Sequence, residues 1–450
     1  MNDYQTIKDI ENHLLVKLDE SSYIDTDLYK EYNIKRGLRN SNGTGVLVGI
    51  TKIANVIGYD TVDGKIIPIE GKLLYRGINL NDIVDGFQKS DRFGFEETAF
   101  LLLLGDLPTT SSMESFKKLL EYNRKFPKFF NEDVIFKFPS TNVMNMLQKE
   151  VLNLYSYDIK PEDLSLTNTF RQSINLIAKL PILMVYSYHA MRHYYNNESL
   201  IIHRPKPGAS TAENILHMLR PDSQYTDQEA KLLDLCMVVH AEHGGGNNSS
   251  FATHVVSSTG TDTYSAISTA IGSLKGPKHG GANLMVTHMV KNIKENCNWR
   301  SKNSLSAYLD KILAKEAFDN KGLIYGMGHA VYTKSDPRAV LLKARAKELA
   351  IVKGFKYDFE LLENIEKLTI EKIKDKKGMD YEICANVDLY SGLVYKMLGI
   401  DENLFTPIFA VSRMAGWCAH RLEQIRDDKI MRPGYVSIID EREYKPLLKR

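Results

Sequence analysis

"TDTYSAISTAIGSLKGPKHGGAN", residues 261–283, carries the pattern that sets the fold class. Tyr264, Ile267, Ile271 and Leu274 recur at helical spacing, and most positions between them are Ser, Ala or Gly. The spacing predicts an amphipathic helix, and the small residues let neighbouring helices approach closely. Gly276-Pro277 then break the pattern, His279 stands among glycines, and apolar periodicity resumes in LMVTHMVKNIKEN. The layout is helix, break, histidine, helix.

Outward from this segment the chain still reads as helix. FGFEETAFLLLLG (93–105) ends on Gly105, a C-terminal cap, and Pro108 follows as a stop. YTDQEAKLLDLCMVVHAEH (225–243) opens with Thr226 and Glu229 at capping-box spacing. TPIFAVSRMAGWCAHRLEQIR (406–426) opens with Thr406 as cap and Pro407 as the first helical residue. A further helix is expected over Tyr4–Leu18, with Ile7, Ile10 and Leu14 on one side. Residues 45–77 differ: β-branched clusters broken by Asp63-Gly64 and Glu70-Gly71 predict a small antiparallel meander. Strands and helices do not alternate at ~30-residue spacing, which argues against a parallel α/β sheet. There is no internal repeat and no low-complexity linker. The expected class is therefore mainly helical, all-α apart from the meander.

Of the 450 residues, 43% are hydrophobic and 25% charged, as in an ordinary globular protein. Against 56 acidic residues there are 58 basic ones, a net charge of +2. That balance supplies no general attraction to nucleic acid or to an anionic membrane, so anion binding must come from a few placed arginines. Cys236, Cys297, Cys384 and Cys418 are scattered, with no C-x-x-C pair, and read as reduced thiols. The first residues lack the apolar run of a signal peptide, and AFLLLL (99–104) is far short of the ~20 residues of a membrane span. A soluble, cytoplasmic protein is expected.

Several side chains stand out as candidate chemistry. His240 and His243, at i and i+3 in HAEHGGGNN, read as a metal pair or as a helix C-terminus suited to histidine. With His254 they would define a metal-dependent hydrolase, although H-E-x-x-H is absent. His279 reads as a loop histidine, or as a neutral imidazole at a helix N-terminus able to donate to a carbonyl oxygen becoming an enol. His329 is flanked by Gly326 and Gly328. Asp336-Pro337 predicts a cap and first-turn proline, which puts Arg338 at the cationic end of a helix, a place that suits an anionic partner. Arg413 lies on an apolar helix face with Phe409, Gly416 and Trp417, where a guanidinium needs a carboxylate or phosphate. Arg432, in IMRPGY, is a weaker signal of the same kind. Asp388 is a capping carboxylate or a base of raised pKa. Taken together, the inventory fits proton abstraction next to a carbonyl, with a multiply charged acid held by arginines.

Five segments of this chain resemble the citrate synthase family, which includes the 2-methylcitrate synthases. They are HAEHGGGN (240–247), GPKHGGAN (276–283), GMGHAVYTKSDPRA (326–339), ANVDLYSG (385–392) and VSRMAGW with RPGY (411–435). Weaker similarity begins at LLYRGINL (73–80) and FEETAFLLLLGDLP (95–108), so the resemblance spans roughly residues 40–450. It implies a helical two-domain fold: a large domain over 1–280, a small one over 281–398 inserted in it, and a return to the large domain over 399–450. It also implies a homodimer or an assembly of dimers, with the site in the cleft between the domains.

By the same resemblance Asp388 takes a proton from acetyl-CoA, His279 stabilises the enol(ate), and His329 polarises the oxaloacetate ketone. His243, Arg338 and Arg413 hold oxaloacetate, and Arg432 reaches the neighbouring subunit's substrate. Citryl-CoA is then hydrolysed to citrate and CoA, with no metal or redox cofactor. Gly244 follows His243 where many relatives carry Glu. A 2-methylcitrate synthase using propionyl-CoA and a non-catalytic helical CoA-binding protein are the other readings.

Overall fold

The structure, a computed structural model, describes residues 3–62, 65–427 and 429–450. It divides into two compact units: residues up to Gly49 together with Arg432–Arg450, and Ile50–Met431. The first unit holds the helix Asp3–Ser22, a short turn of helix at Leu28–Glu31 and 3₁₀ turns at Arg36–Leu38 and Leu447–Lys449. The expected first helix is present and runs four residues beyond Leu18, with Ile7, Ile10 and Leu14 exposed.

The second unit is mainly helical, as expected, and carries one small sheet of strands β1 (Ala54–Val62), β2 (Lys65–Tyr75) and β3 (Ile78–Asn79) in that order, all antiparallel. The Asp63-Gly64 turn lies outside the described residues. The meander differs from expectation in two details. Strand structure begins at Ala54 rather than Gly45, and Glu70-Gly71 continues β2 instead of breaking it. The physical reason for Gly71 is close approach: a Cβ there would lie 2.1 Å from the Ser335 carbonyl oxygen and 2.7 Å from Tyr332 Cδ1. Gly58, at the register shift of β1 between Ile57 and Tyr59, meets the Val331 carbonyl in the same way at 2.3 Å. The sheet thus packs backbone-to-backbone on the loop of His329. Gly71→Ala is expected to lower stability by ~1–3 kcal/mol through overpacking, measured by urea denaturation.

Helix Phe405–Gln424 is the hub of this unit. Eighteen of its residues are buried, and it packs against helices Phe95–Leu104, Leu166–Asn196, Asp227–His240, Asn248–Ser257 and Thr263–Lys275. A helix enclosed on all sides tolerates a charge only where that charge has a use, and Arg413 and Arg421 are both fully buried in it. Its start differs from expectation. Asp401 caps a 3₁₀ turn at Glu402–Leu404, the helix follows at once from Phe405, and Thr406 is not the cap. The Thr406 hydroxyl instead donates to the Gly280 carbonyl at 3.0 Å and ties down the loop of His279. Helix Thr263–Lys275 forms as the opening segment predicts, with Tyr264, Ile267, Ile271 and Leu274 all buried.

Residues 281–398 contribute helices Ala282–Asn296, Lys302–Leu313, Pro337–Val352, Lys356–Lys377 and Asp388–Met397, packed on one another. Among the described residues no helix is long and apolar enough to cross a membrane.

Candidate active site

Helix Asp227–His240 begins with the predicted Thr226–Glu229 capping box and ends at His240. The chain then turns through a loop whose Gly244 adopts φ +82°, a conformation that favours glycine over any residue with a side chain. This turn buries His243. Its Nε2 has no hydrogen-bond partner among the described residues, and its ring lies 4.9 Å from the His329 ring at 84°. Burial, reinforced by Arg338 and His329, holds His243 well below the usual imidazole pKa, so the ring is neutral.

His329 belongs to a loop joined to the start of helix Asp388–Met397. The Gly328 N–H donates to the Cys384 carbonyl at 2.8 Å, and the Asn386 N–H to the Gly326 carbonyl at 2.9 Å. The Asn386 side chain donates to the Gly328 carbonyl at 2.9 Å while accepting the Asp388 N–H at 3.0 Å. A Cβ on Gly326 would come within 2.9 Å of the Leu389 backbone, so glycine is what lets the two segments meet. His329 Nδ1 accepts backbone N–H groups from Val331 and Tyr332, each at 3.1 Å, which assigns the ring proton to Nε2. The Tyr332 ring stacks on it at 4.6 Å.

Arg338 and Asp336 form a bidentate pair at 3.0 and 2.7 Å, both buried. Asp336 is also the cap of helix Pro337–Val352, with Pro337 at its first position as expected. Burial alone would lower the Arg338 pKa, but Asp336 more than offsets it and the guanidinium is held firmly charged. Arg413 differs. Its Nε donates to the His240 carbonyl at 2.7 Å, while Nη1 and Nη2 are buried with no partner among the described residues. Burial lowers its pKa to about 10. The Phe409 ring bridges Arg413, 4.8 Å away, and His279, 6.2 Å away.

His279 stands three residues before helix Ala282–Asn296, as expected. Its Nε2 accepts the Ser249 backbone N–H at 3.4 Å and lies 2.9 Å from the Ser249 hydroxyl, which is itself fixed by Trp417 Nε1 at 3.1 Å. An accepting Nε2 leaves the proton on Nδ1. Burial first, then Arg413, lowers the pKa of His279 to about 4. Asp388 is the first residue of its helix, not its cap. Desolvation raises its carboxyl to about 6 against the opposing pull of Arg338 and Arg413. A base poised near neutrality, neutral imidazoles and a guanidinium with spare donors are the components of enolisation chemistry on an anionic substrate.

Residues 42–434 match the family model described as citrate synthase, C-terminal domain.

The chain belongs to the citrate synthase family.

It is thus an enzyme of the acyltransferase type. A citrate synthase from Synechocystis sp. is 36% identical over 392 residues, spanning 86% of this chain and 90% of its own. A 2-methylcitrate synthase from Shewanella oneidensis is 29% identical over 384 residues, spanning 84% and 92%. The Thermoplasma acidophilum citrate synthase, solved as a ternary complex with carboxymethyl coenzyme A and oxaloacetate, is 26% identical. It superposes with a TM-score of 0.74 over 93% of this chain and 99% of its own.

Within this citrate synthase fold His243, His329, Arg338, His279, Arg413 and Asp388 all lie in the unit Ile50–Met431, while Arg432 belongs to the other unit and is exposed. His240, His243 and His254 do not converge as a metal triad. His240 Nδ1 is bonded to the Cys236 carbonyl of its own helix at 2.7 Å, and His254 turns instead to His420 and Gln424. Sequence reasoning missed Ser249, Trp417, Tyr332 and Asn386 as supports of the two histidines. Only Asn386, two residues before Asp388 in CANVD, carried a local signal, since asparagine readily bonds the backbone two residues on.

Proposed function

We propose that this enzyme condenses acetyl-CoA with oxaloacetate and hydrolyses the resulting citryl-CoA to citrate and CoA. The observation that carries the reading is the two buried Arg413 NH₂ groups and the His243 Nε2, none with a hydrogen-bond partner among the described residues. Buried donors are costly to leave unmade, and a dicarboxylate ketone supplies the acceptors.

Asp388 takes a proton from the acetyl methyl group. His279 donates its Nδ1–H to the thioester oxygen as negative charge develops there, and His329 donates Nε2–H to the oxaloacetate ketone. The enolate carbon then attacks the polarised carbonyl carbon, and water cleaves the thioester of citryl-CoA. These steps form one carbon–carbon bond, exchange the thioester C–S bond for a C–O bond from water with release of the CoA thiol, and otherwise move protons with no net change of redox state, so the proposed reaction calls for no metal or redox cofactor. Residues 281–398 act as the small domain that closes over oxaloacetate to complete the acyl-CoA site. The enzyme works in the cytoplasm as a homodimer or an assembly of dimers, with Arg432 reaching the substrate of the neighbouring subunit.

A thiol-release assay with acetyl-CoA and oxaloacetate tests this. Oxaloacetate-dependent release of CoA is expected, and its absence would overturn the proposal. Propionyl-CoA run in parallel separates the 2-methylcitrate alternative, favoured by the Shewanella relative. One methylene contributes only ~1–3 kcal/mol in a pocket, so the ratio of kcat/KM values decides. The pH profile adds a check. With Asp388 raised to about 6, kcat/KM is expected to fall tenfold per pH unit below that value, because only the ionised base accepts the proton.

A further inference from the structure

Behind the candidate active site, helix Asn248–Ser257 and helix Phe405–Gln424 bring His254 and His420 into contact. His254 Nε2 and His420 Nδ1 face each other at 2.9 Å, and Glu423 Oε2 lies 4.0 Å from the same His420 nitrogen. The three ligand atoms all fall within 4.8 Å of one another. Two donors around one tetrahedral ion stand about 3.3 Å apart at ordinary metal–nitrogen bond lengths, inside that span.

The outer face of each ring settles where its proton sits. His420 Nε2 is 3.0 Å from Glu242 Oε1, a carboxylate oxygen that accepts, so that nitrogen carries hydrogen. His254 Nδ1 is 2.7 Å from Gln424 Oε1. The Gln424 amide nitrogen donates to Asp427 at 3.4 Å, which turns its oxygen toward His254. Both outer nitrogens are thus donors, and two lone pairs face each other across the gap. That arrangement repels unless a cation or an extra proton occupies it. Glu423 Oε1 is held by the Lys52 N–H at 2.7 Å, leaving Oε2 buried and without a hydrogen-bond partner among the described residues.

We propose that His254 Nε2, His420 Nδ1 and Glu423 Oε2 bind a divalent metal ion of zinc type. Two nitrogens and one carboxylate oxygen suit a metal of borderline softness, and Gln424 and Glu242 orient the two imidazoles as outer-shell acceptors. Gly245 leaves the fourth direction open: a Cβ there would be 3.5 Å from His254 Nε2 and 3.8 Å from His420 Nδ1. Gly245 is partly exposed, so water supplies the fourth ligand and solvent the entry path. The ion would pin together the two helices and, through Glu242, the turn that carries His243. It takes no part in the condensation, and the inference does not depend on that reaction.

The test uses untagged full-length protein purified from zinc-supplemented culture. About one zinc per chain is expected by elemental analysis after gel filtration. The stripped protein should take up Co²⁺ with the visible absorption of a four-coordinate site and melt lower than the zinc-loaded form. His254→Gln and Glu423→Gln should each lose the metal, the Co²⁺ spectrum and the zinc-dependent melting shift. Glu423 is partly exposed, so its variant is expected to fold even if the histidine variant does not. Wild-type protein that binds neither ion at micromolar concentration would overturn the proposal in favour of a proton shared by the two rings. Metal uptake that persists undiminished in Glu423→Gln would overturn the ligand set.

Discussion

Asp388→Asn is expected to lower kcat by ~10²–10⁴-fold, the usual contribution of a positioned general base. The amide keeps the shape and the place at the start of helix Asp388–Met397 but cannot accept the proton. The variant should also be no less stable than the wild type at neutral pH. The sign follows from the raised carboxyl: with a folded pKa of about 6, above the ordinary 3.8, the native state binds the proton more tightly than the unfolded chain. Ionised Asp388 therefore opposes folding above about pH 6, and this penalty vanishes once the pH falls below the ordinary carboxyl value. Replacing it by a neutral group removes the penalty. Steady-state thiol release beside a denaturation curve at pH 7 checks both halves. Near-normal turnover would mean that another group is the base.

Arg413→Ala is expected to raise the KM for oxaloacetate by roughly 10²–10⁴-fold, the worth of two charge-assisted hydrogen bonds at roughly 1.5–3 kcal/mol each. Its effect on the free protein should be small for a side chain so deeply buried. The guanidinium makes one hydrogen bond, to the His240 carbonyl, and leaves two donors unpaired among the described residues. Its desolvation is therefore poorly compensated until substrate arrives. A buried arginine that served the fold would show the reverse, with a large loss of stability and little change in KM. Calorimetric titration with oxaloacetate and a melting curve separate the two.

The helical class was legible because Tyr264, Ile267, Ile271 and Leu274 must share one face, and they do so in the core. The capping box at Thr226 and the Asp336-Pro337 start were equally plain, since both work through neighbours within one turn. What escaped depends on partners far along the chain. Gly71 reads as a turn in isolation, yet it is bare because Ser335 passes 264 residues later. Thr406 reads as a cap, yet its hydroxyl is taken by Gly280 and Asp401 caps instead.

The candidate site divides in the same way. Histidines flanked by glycines and an arginine on an apolar helix face are visible as local oddities. The protonation state of each ring is not, because it is set by Ser249 for His279 and by the turn at Val331 and Tyr332 for His329. Nor does spacing show that His254 meets His420, 166 positions away, rather than His240 or His243.

In the proposed reaction two uncharged imidazoles present defined protons to the substrates, and ¹⁵N NMR of histidine-labelled protein reads those protons directly. At pH 7 His279 should be neutral with its proton on Nδ1, and His329 neutral with its proton on Nε2, each signal assigned by its Gln variant. An imidazolium at either position, or the opposite tautomer, would mean that these rings do not donate as proposed.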